Sequence, residues 1–301
     1  MSNKKHKYRY MSKRKSQCDS YDYEKIRKIN EFLNNHPELA GACSVKQRIE
    51  NIKQPIGGYI KPSWFTKTSL DNCAEALNPD ENIPPGIVGS TVDYLTRFLT
   101  GATVEDAFLI SKKGAENVGK TRLLNDLLSK VCGLNDSSII AAVRLSGFDV
   151  AYRAASYYKP VECLTPDQST IENIRTMVER SLNFFYIFGP VIAEGLTFEG
   201  GYTKCIGSDD GDFLTDDTLW DFKVSKQGLQ SKHTLQIFIY WRMGMHSIYR
   251  EKYNNVRYLG VYNPRQNVVY RLNIDKIPEE TIMAVDTKVI GYDSTADVAL
   301  Q

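Results

Sequence analysis

The sequence predicts a mixed α/β protein whose first half is helical and whose second half is a mixed sheet crossed by a helix. Apolar residues recur at helical spacing up to about residue 185. After Gly189 the apolar segments are shorter and have the length of strands. The 301-residue chain is long enough for one large or two small hydrophobic cores. Its composition, 42% hydrophobic and 25% charged, is typical of globular proteins.

The helical half contains six predicted helices, at residues 22–34, 86–99, 104–113, 121–131, 136–157 and 166–185. Thr103 is predicted to cap the third helix, and Asp167 or Ser169 the sixth. Residues 50–85 are predicted to be irregular because Gly57, Gly58 and several prolines interrupt them.

The second half contains predicted strands at residues 190–193, 196–198, 258–262 and 268–272, together with a hairpin. The hairpin strands, 213–215 and 218–224, flank a two-residue turn. This register sets Phe213 opposite Trp220 and Asp212 opposite Asp221. The neighbouring acids Asp209, Asp210, Asp216 and Asp217 are predicted to serve turns, where Asp is favoured.

One face of this hairpin gathers charge. Strand alternation places Asp221 and Lys223 on one face and Trp220 and Phe222 on the other. Opposed carboxylates destabilise a hairpin unless a cation offsets them, and Mg²⁺ prefers one or two carboxylates with water and phosphate oxygens. A salt-bridged hairpin face without any metal is the alternative.

A polar stripe crosses the apolar helix predicted at residues 230–250. His233, Gln236 and Tyr240 stand at spacings that place them on one helical face. A site beneath the helix would explain the stripe, although His233 also fits the role of a packed or capping histidine.

These residues resemble the motifs of the PD-(D/E)xK nuclease superfamily, and of its RecB-like exonuclease branch in particular. The similarity comprises Asp212 on one strand, Asp221-x-Lys223 on the next, and Gln236-x-x-x-Tyr240 on the following helix. It extends over residues 190–275, and the segment 89–93 is similar to the branch's first motif, a glycine followed by a polar residue.

The resemblance implies a restriction-endonuclease-like core, with a mixed central sheet flanked by helices. It implies a metal-dependent nuclease acting on DNA, with RNA as the alternative, in recombination, mobile elements or phage defence. Asp212, Asp221 and the backbone carbonyl of Phe222 would bind Mg²⁺ or Mn²⁺. The implied catalytic residues are Asp212, Asp221, Lys223, Gln236 and Tyr240.

An upstream acid would complete the metal site, and the candidates are Asp93, Glu194 and Glu199. Each has a simpler alternative, since Asp93 can pair with Arg97 one helical turn away and the two glutamates can be solvated edge positions.

The six cysteines are scattered without C-x-x-C pairs, which argues against a zinc site and against an iron–sulfur cluster. We expect free, mostly buried thiols in a reducing cytoplasm. No apolar segment is long enough to span a bilayer and the amino terminus lacks an apolar signal region, so we expect a cytoplasmic protein without a membrane partner.

A basic tail precedes the helices and interleaves tyrosines with seven Lys and Arg residues. Without these seven, 31 of the 38 Lys and Arg remain against 36 Asp and Glu, so the rest of the chain is slightly acidic. Such a tail suits phosphate backbones, although a solvated terminus is equally consistent. The residues concerned are Lys4, Lys5, Lys7, Arg9, Lys13, Arg14 and Lys15. The predicted organisation is thus a basic flexible tail at 1–16, a mainly helical region at 17–185 and a nuclease core at 186–301.

Two other functions compete with the nuclease hypothesis. The first is a non-catalytic nucleic-acid-binding protein on the same fold. The second is an NTPase, because Gly114, Gly119, Lys120 and Thr121 match the pattern G-x-x-x-x-G-K-[ST]. That pattern requires a preceding strand, whereas residues 104–113 suggest a helix, so the two glycines are predicted to end one helix and start another.

Overall fold

A computed structural model of the chain describes residues 41–70 and 76–292, which divide into two compact units. The helical unit comprises residues 76–184, and the sheet unit comprises residues 41–70 and 185–292. The predicted tail, with its seven basic residues, and the predicted helix at 22–34 lie outside the described residues.

The structure confirms the mixed α/β class. The strands are β1 (Cys43–Ser44), β2 (Thr66–Ser69), β3 (Ala193–Leu196), β4 (Ile206–Ser208), β5 (Gly211–Leu214), β6 (Thr218–Phe222), β7 (Tyr258–Asn263) and β8 (Val268–Asn273). The helices are α1 (Val45–Asn51), α2 (Pro85–Leu99), α3 (Val104–Ala107), α4 (Leu109–Asn117), α5 (Thr121–Leu128), α6 (Asp136–Arg153), α7 (Gln168–Phe188), α8 (Ser231–His246) and α9 (Glu279–Val285). A 3₁₀ turn at Ala155–Tyr157 follows α6, and a π turn at Asp286–Ile290 follows α9.

Capping residues set the ends of the helices in the helical unit as predicted. The Thr103 hydroxyl accepts the Asp106 N–H at 3.1 Å at the start of α3, and Asp167 accepts the Thr170 N–H at 2.8 Å at the start of α7. Each cap satisfies a backbone donor that has no partner within the helix.

Gly114 lies inside α4 rather than at a helix end, which corrects part of the prediction. A Cβ at this position would lie 1.9 Å from the carbonyl oxygen of Phe148, so only glycine permits this contact between α4 and α6. Gly119 does follow the end of α4, with a φ of +67° that favours glycine. The residues before Gly114 are helical, so the strand that a phosphate-binding loop requires is absent from this stretch of described chain.

The sheet unit is built on a six-stranded sheet in the order β2-β8-β7-β6-β5-β3. β6 and β7 are parallel and the other neighbours are antiparallel. α8 connects the two parallel strands, as a crossover connection must. β1 and β4 form a separate parallel pair.

The core of the sheet unit lies between α8 and the sheet. Leu235, Phe238 and Ile239 of α8 are fully buried in one cluster with Leu219 of β6 and Leu259 of β7. Burial of each such side chain contributes roughly 1.5–3 kcal/mol. This packing fixes the position of α8 against β6 and β7, and β6 ends next to the predicted site.

Residues 41–70 belong to the sheet unit, although the sequence assigned them to the helical region. Val45 and Ile49 of α1 are buried in the sheet unit's core, and β2 pairs with β8 at the edge of the sheet. All four residues of β2 are exposed and polar, so no alternation of apolar residues identifies it as a strand. The strands predicted at 190–193 and 196–198 are likewise replaced by the single strand β3.

The cysteines within the described chain are free thiols as predicted, but the prediction that they are mostly buried is wrong. Cys132 and Cys163 are exposed, and Cys43 and Cys205 are half-buried. No helix in residues 41–70 or 76–292 is long and apolar enough to cross a membrane.

Candidate active site

The hairpin forms in the predicted register, with Phe213 opposite Trp220. Alternation therefore places Asp212 and Asp221 together on the opposite face from those two rings. The two acids differ in environment, since Asp212 is exposed and Asp221 is buried. Rather than facing Asp221 as a simple pair, Asp212 accepts the backbone N–H of Phe222 at 2.6 Å.

Asp221 and Lys223 form a close ion pair at the end of β6. The Lys223 ammonium lies 2.7 Å from Oδ1 of Asp221, whose side chain is 2% exposed, against 26% for the lysine. Oδ2 of Asp221 is buried and has no hydrogen-bond partner among the described residues. A buried carboxylate oxygen without a partner destabilises the fold unless another positive group binds it.

The lysine is held in its charged form. Burial acts to lower the pKa of Lys223, but the charges of Asp221, Asp212 and Asp209 outweigh burial and raise that pKa above its ordinary value. Three carboxylates are therefore close enough to act on one ammonium group.

Gln236 and Tyr240 of α8 meet as their spacing predicted. The Gln236 amide donates to the Tyr240 hydroxyl at 2.7 Å, and that hydroxyl donates to Oδ1 of Asp209 at 3.0 Å. Burial, followed by the charges of Asp209 and Asp221, raises the pKa of Tyr240 well above its usual value. The tyrosine thus remains a hydrogen-bond donor to the site.

Asp209 is the site residue that sequence analysis missed, since it was assigned to a turn. Besides Tyr240, it accepts the Val45 N–H at 2.9 Å, which ties the start of α1 to the site. Burial raises the pKa of Asp209. Asp209 lies only three residues before Asp212, and this spacing could have indicated a site residue. Because Asp210 follows directly, Asp209 and Asp210 were instead predicted to serve a turn.

His233 is a capping residue near the lysine. Its Nδ1 accepts the Gln230 N–H at 3.3 Å, which completes a capping box at the start of α8. Burial and then the positive charge of Lys223 lower the pKa of His233 to about 4, so the ring is neutral at pH 7.

The upstream acids occupy different places. Glu194 pairs with Phe213 in the sheet, which puts it on the opposite face from Asp221. Glu199 follows β3, is 4% exposed, and has two buried carboxylate oxygens without a hydrogen-bond partner in the described parts of the chain. Asp93 lies on α2 in the helical unit.

The donors at the hairpin suit a hard divalent cation held by few protein ligands. No group of three or more His, Cys, Asp and Glu side chains with the arrangement of a metal centre occurs in residues 41–70 and 76–292. Mg²⁺ needs only one or two carboxylates when water and phosphate complete its shell. The Phe222 N–H bonds Asp212, and N–H and C=O of a strand residue point to the same side, so the Phe222 carbonyl is expected on the β5 side of β6. Asp212, the Phe222 carbonyl and Oδ2 of Asp221 are oxygen donors of the kind that such an ion prefers.

No protein-family model, no curated protein and no solved structure matches this chain.

Proposed function

We propose that the protein is a divalent-metal-dependent nuclease that hydrolyses phosphodiester bonds in DNA. The observation that carries the proposal is the buried Asp221, whose one oxygen is bound by Lys223 while the other has no partner among the described residues. An ion pair alone leaves the second buried oxygen uncompensated, which is costly, whereas a metal ion beside the lysine would take that oxygen as a ligand.

Asp212, Asp221 and the Phe222 carbonyl would hold Mg²⁺ or Mn²⁺, which supplies an acidified water and charge stabilisation at the phosphate. Lys223 would orient the attacking water and stabilise the negative charge that develops on the phosphate oxygens. Its raised pKa suits the second role, because the group stays cationic.

The hydrogen-bonded series Gln236, Tyr240 and Asp209 would position this machinery from α8. It holds Asp209, whose charge acts on Lys223, and the Gln236 amide in turn holds the Tyr240 hydroxyl. A Tyr240→Phe substitution removes the donor to Asp209 and is expected to lower kcat more than it raises KM.

We place the activity in the cytoplasm, in DNA recombination, mobile-element biology or phage defence, in line with the superfamily resemblance. RNA is the alternative substrate.

A cleavage assay tests the proposal. Wild type is expected to degrade labelled DNA with Mg²⁺ or Mn²⁺ and not with EDTA, and Asp221→Asn is expected to abolish cleavage. Asp216→Asn is the matched control, because it makes the same charge change at an exposed turn position of the same hairpin and should retain activity. Equal activity in both variants would rule out the proposed site.

A further inference from the structure

Two exposed tyrosines, five residues apart, lie in the last turn of α6 and in the 3₁₀ turn that follows it, in the helical unit. Tyr157 is 79% exposed and Tyr152 is 46% exposed, although both are large side chains. Tyrosine is enriched at binding interfaces, because its ring can be covered by a partner while its hydroxyl stays hydrated.

The close contact of α4 with α6 supplies a cation to this surface. Gly114 packs against the backbone of Phe148, and one turn further along α6 the Lys113 ammonium lies 5.7 Å from the ring centroid of Tyr152. This is a cation–π distance, so positive charge is held beside the ring.

The following turn is anchored from within. Tyr158 stacks on the buried Phe148 with ring centroids 6.3 Å apart, and the Tyr157 N–H bonds the Ala154 carbonyl at 2.9 Å. Tyr157 therefore projects from an ordered turn, and Tyr152 from the last turn of α6.

The segment that carries these tyrosines is locally basic in sequence. Residues 150–161 include Arg153 and Lys159 and contain no acid. Of the flanking acids, Asp149 is buried, accepts the Ser111 hydroxyl at 2.7 Å and is acted on by the charge of Arg153, whereas Glu162 pairs with Lys120 at 3.3 Å.

We propose that this tyrosine surface, defined as Lys113, Tyr152, Arg153, Tyr157 and Lys159, binds single-stranded nucleic acid. Exposed rings stack on bases, and neighbouring cations contact the phosphates. A duplex conceals the faces of its bases, so it can use only the cations. The choice of ligand rests on the proposed nuclease function, but the surface belongs to the helical unit and none of its residues belongs to the candidate active site.

The test measures binding of a fluorescent oligothymidylate to the full chain by anisotropy in EDTA, so that no cleavage contributes. The double variant Tyr152→Ala/Tyr157→Ala is expected to bind about tenfold or more weakly, since stacking contributes roughly 1–3 kcal/mol per base. Tyr152→Phe/Tyr157→Phe keeps the rings and should bind like wild type. Tyr186→Ala is the matched control, since it removes a ring that is 67% exposed in the sheet unit.

The proposed binding surface is supported if only the double alanine variant binds weakly and its circular dichroism spectrum is unchanged. The inference is overturned if wild type does not bind, if the alanine variant binds as tightly as wild type, or if a duplex of the same length competes equally well. Ring-dependent binding without metal-dependent cleavage would refute the nuclease proposal and leave this surface standing. Cleavage with ring-independent binding would do the reverse.

Discussion

Replacing Lys223 by methionine should destabilise the protein far more than replacing its partner, Asp221, by asparagine. Lys223→Met removes the ammonium that lies 2.7 Å from a carboxylate only 2% exposed, and leaves that charge buried without compensation. Breaking a buried pair in this way costs about 3–5 kcal/mol. Because 26% of the lysine side chain is exposed, water can partly solvate Asp221 in the variant, so we expect a cost at the lower end of that range, about 3 kcal/mol.

Asp221→Asn removes the buried charge itself, and the amide retains an oxygen for Lys223. The lysine also stays near Asp212 and Asp209, so the expected cost is about 1 kcal/mol or less. In the Asp221→Asn background, Lys223→Met should cost much less than it does alone, since no buried carboxylate remains to be left without a partner.

Urea unfolding in EDTA measures these differences for wild type, the two single variants and the double variant. At about 2–4 °C per kcal/mol for a unit of this size, Lys223→Met should also lower the Tm by about 6–12 °C. A larger destabilisation by Asp221→Asn than by Lys223→Met, or an equal cost of Lys223→Met in both backgrounds, would show that no buried charge governs this pair.

Three further outcomes follow from the structure. Lys120→Ala should change stability by less than about 0.5 kcal/mol, because its pair with Glu162 is half exposed, and it should leave nuclease activity intact; tight Mg-ATP binding that is absent in the variant would contradict this. Deleting residues 1–15 should weaken DNA binding and reduce its log–log salt slope by close to one unit for each phosphate that the tail neutralises, and an unchanged slope would show that the tail does not touch DNA. His233 has a pKa lowered to about 4 in the folded chain against 6.5 for an ordinary histidine, so the unfolded state binds the proton more readily and stability falls as the pH drops from about 6.5 towards 4. His233→Gln keeps a capping-box side chain and should reduce the loss of stability over that pH range by about 1–2 kcal/mol, a value that allows for the partial exposure of the ring. Urea unfolding at several pH values measures the difference. The same pH dependence in wild type and variant would contradict the lowered pKa of His233.

The sequence was informative where local chemistry decides structure. The hairpin register follows from a two-residue turn with Phe213 and Trp220 in alternating positions, and the contact of Gln236 with Tyr240 follows from their separation of one helical turn. Helix caps such as Thr103 and Asp167 are likewise local.

Features that depend on distant partners were not accessible in the same way. β2 is a strand only because β8 offers it an edge, and its exposed Thr, Lys and Ser residues carry no apolar pattern. Asp209 joins the site through Tyr240 and Val45, which are 31 and 164 residues away along the chain. The pairing of Asp221 with Lys223 could be predicted, but the burial that leaves Oδ2 of Asp221 without a described partner is a property of the folded unit.

The proposed nuclease depends above all on Asp221 holding a divalent cation beside Lys223. Titration calorimetry of Mn²⁺ into the metal-free protein, without nucleic acid, measures that binding by itself. Wild type should bind Mn²⁺, and Asp221→Asn should lose that binding. Lys223→Met should bind Mn²⁺ at least as tightly as wild type, because an ammonium is not a metal ligand and the cation replaces the positive charge that the ammonium supplied. Binding of Mn²⁺ with equal affinity by wild type and Asp221→Asn, or no binding by wild type, would contradict the proposed metal site.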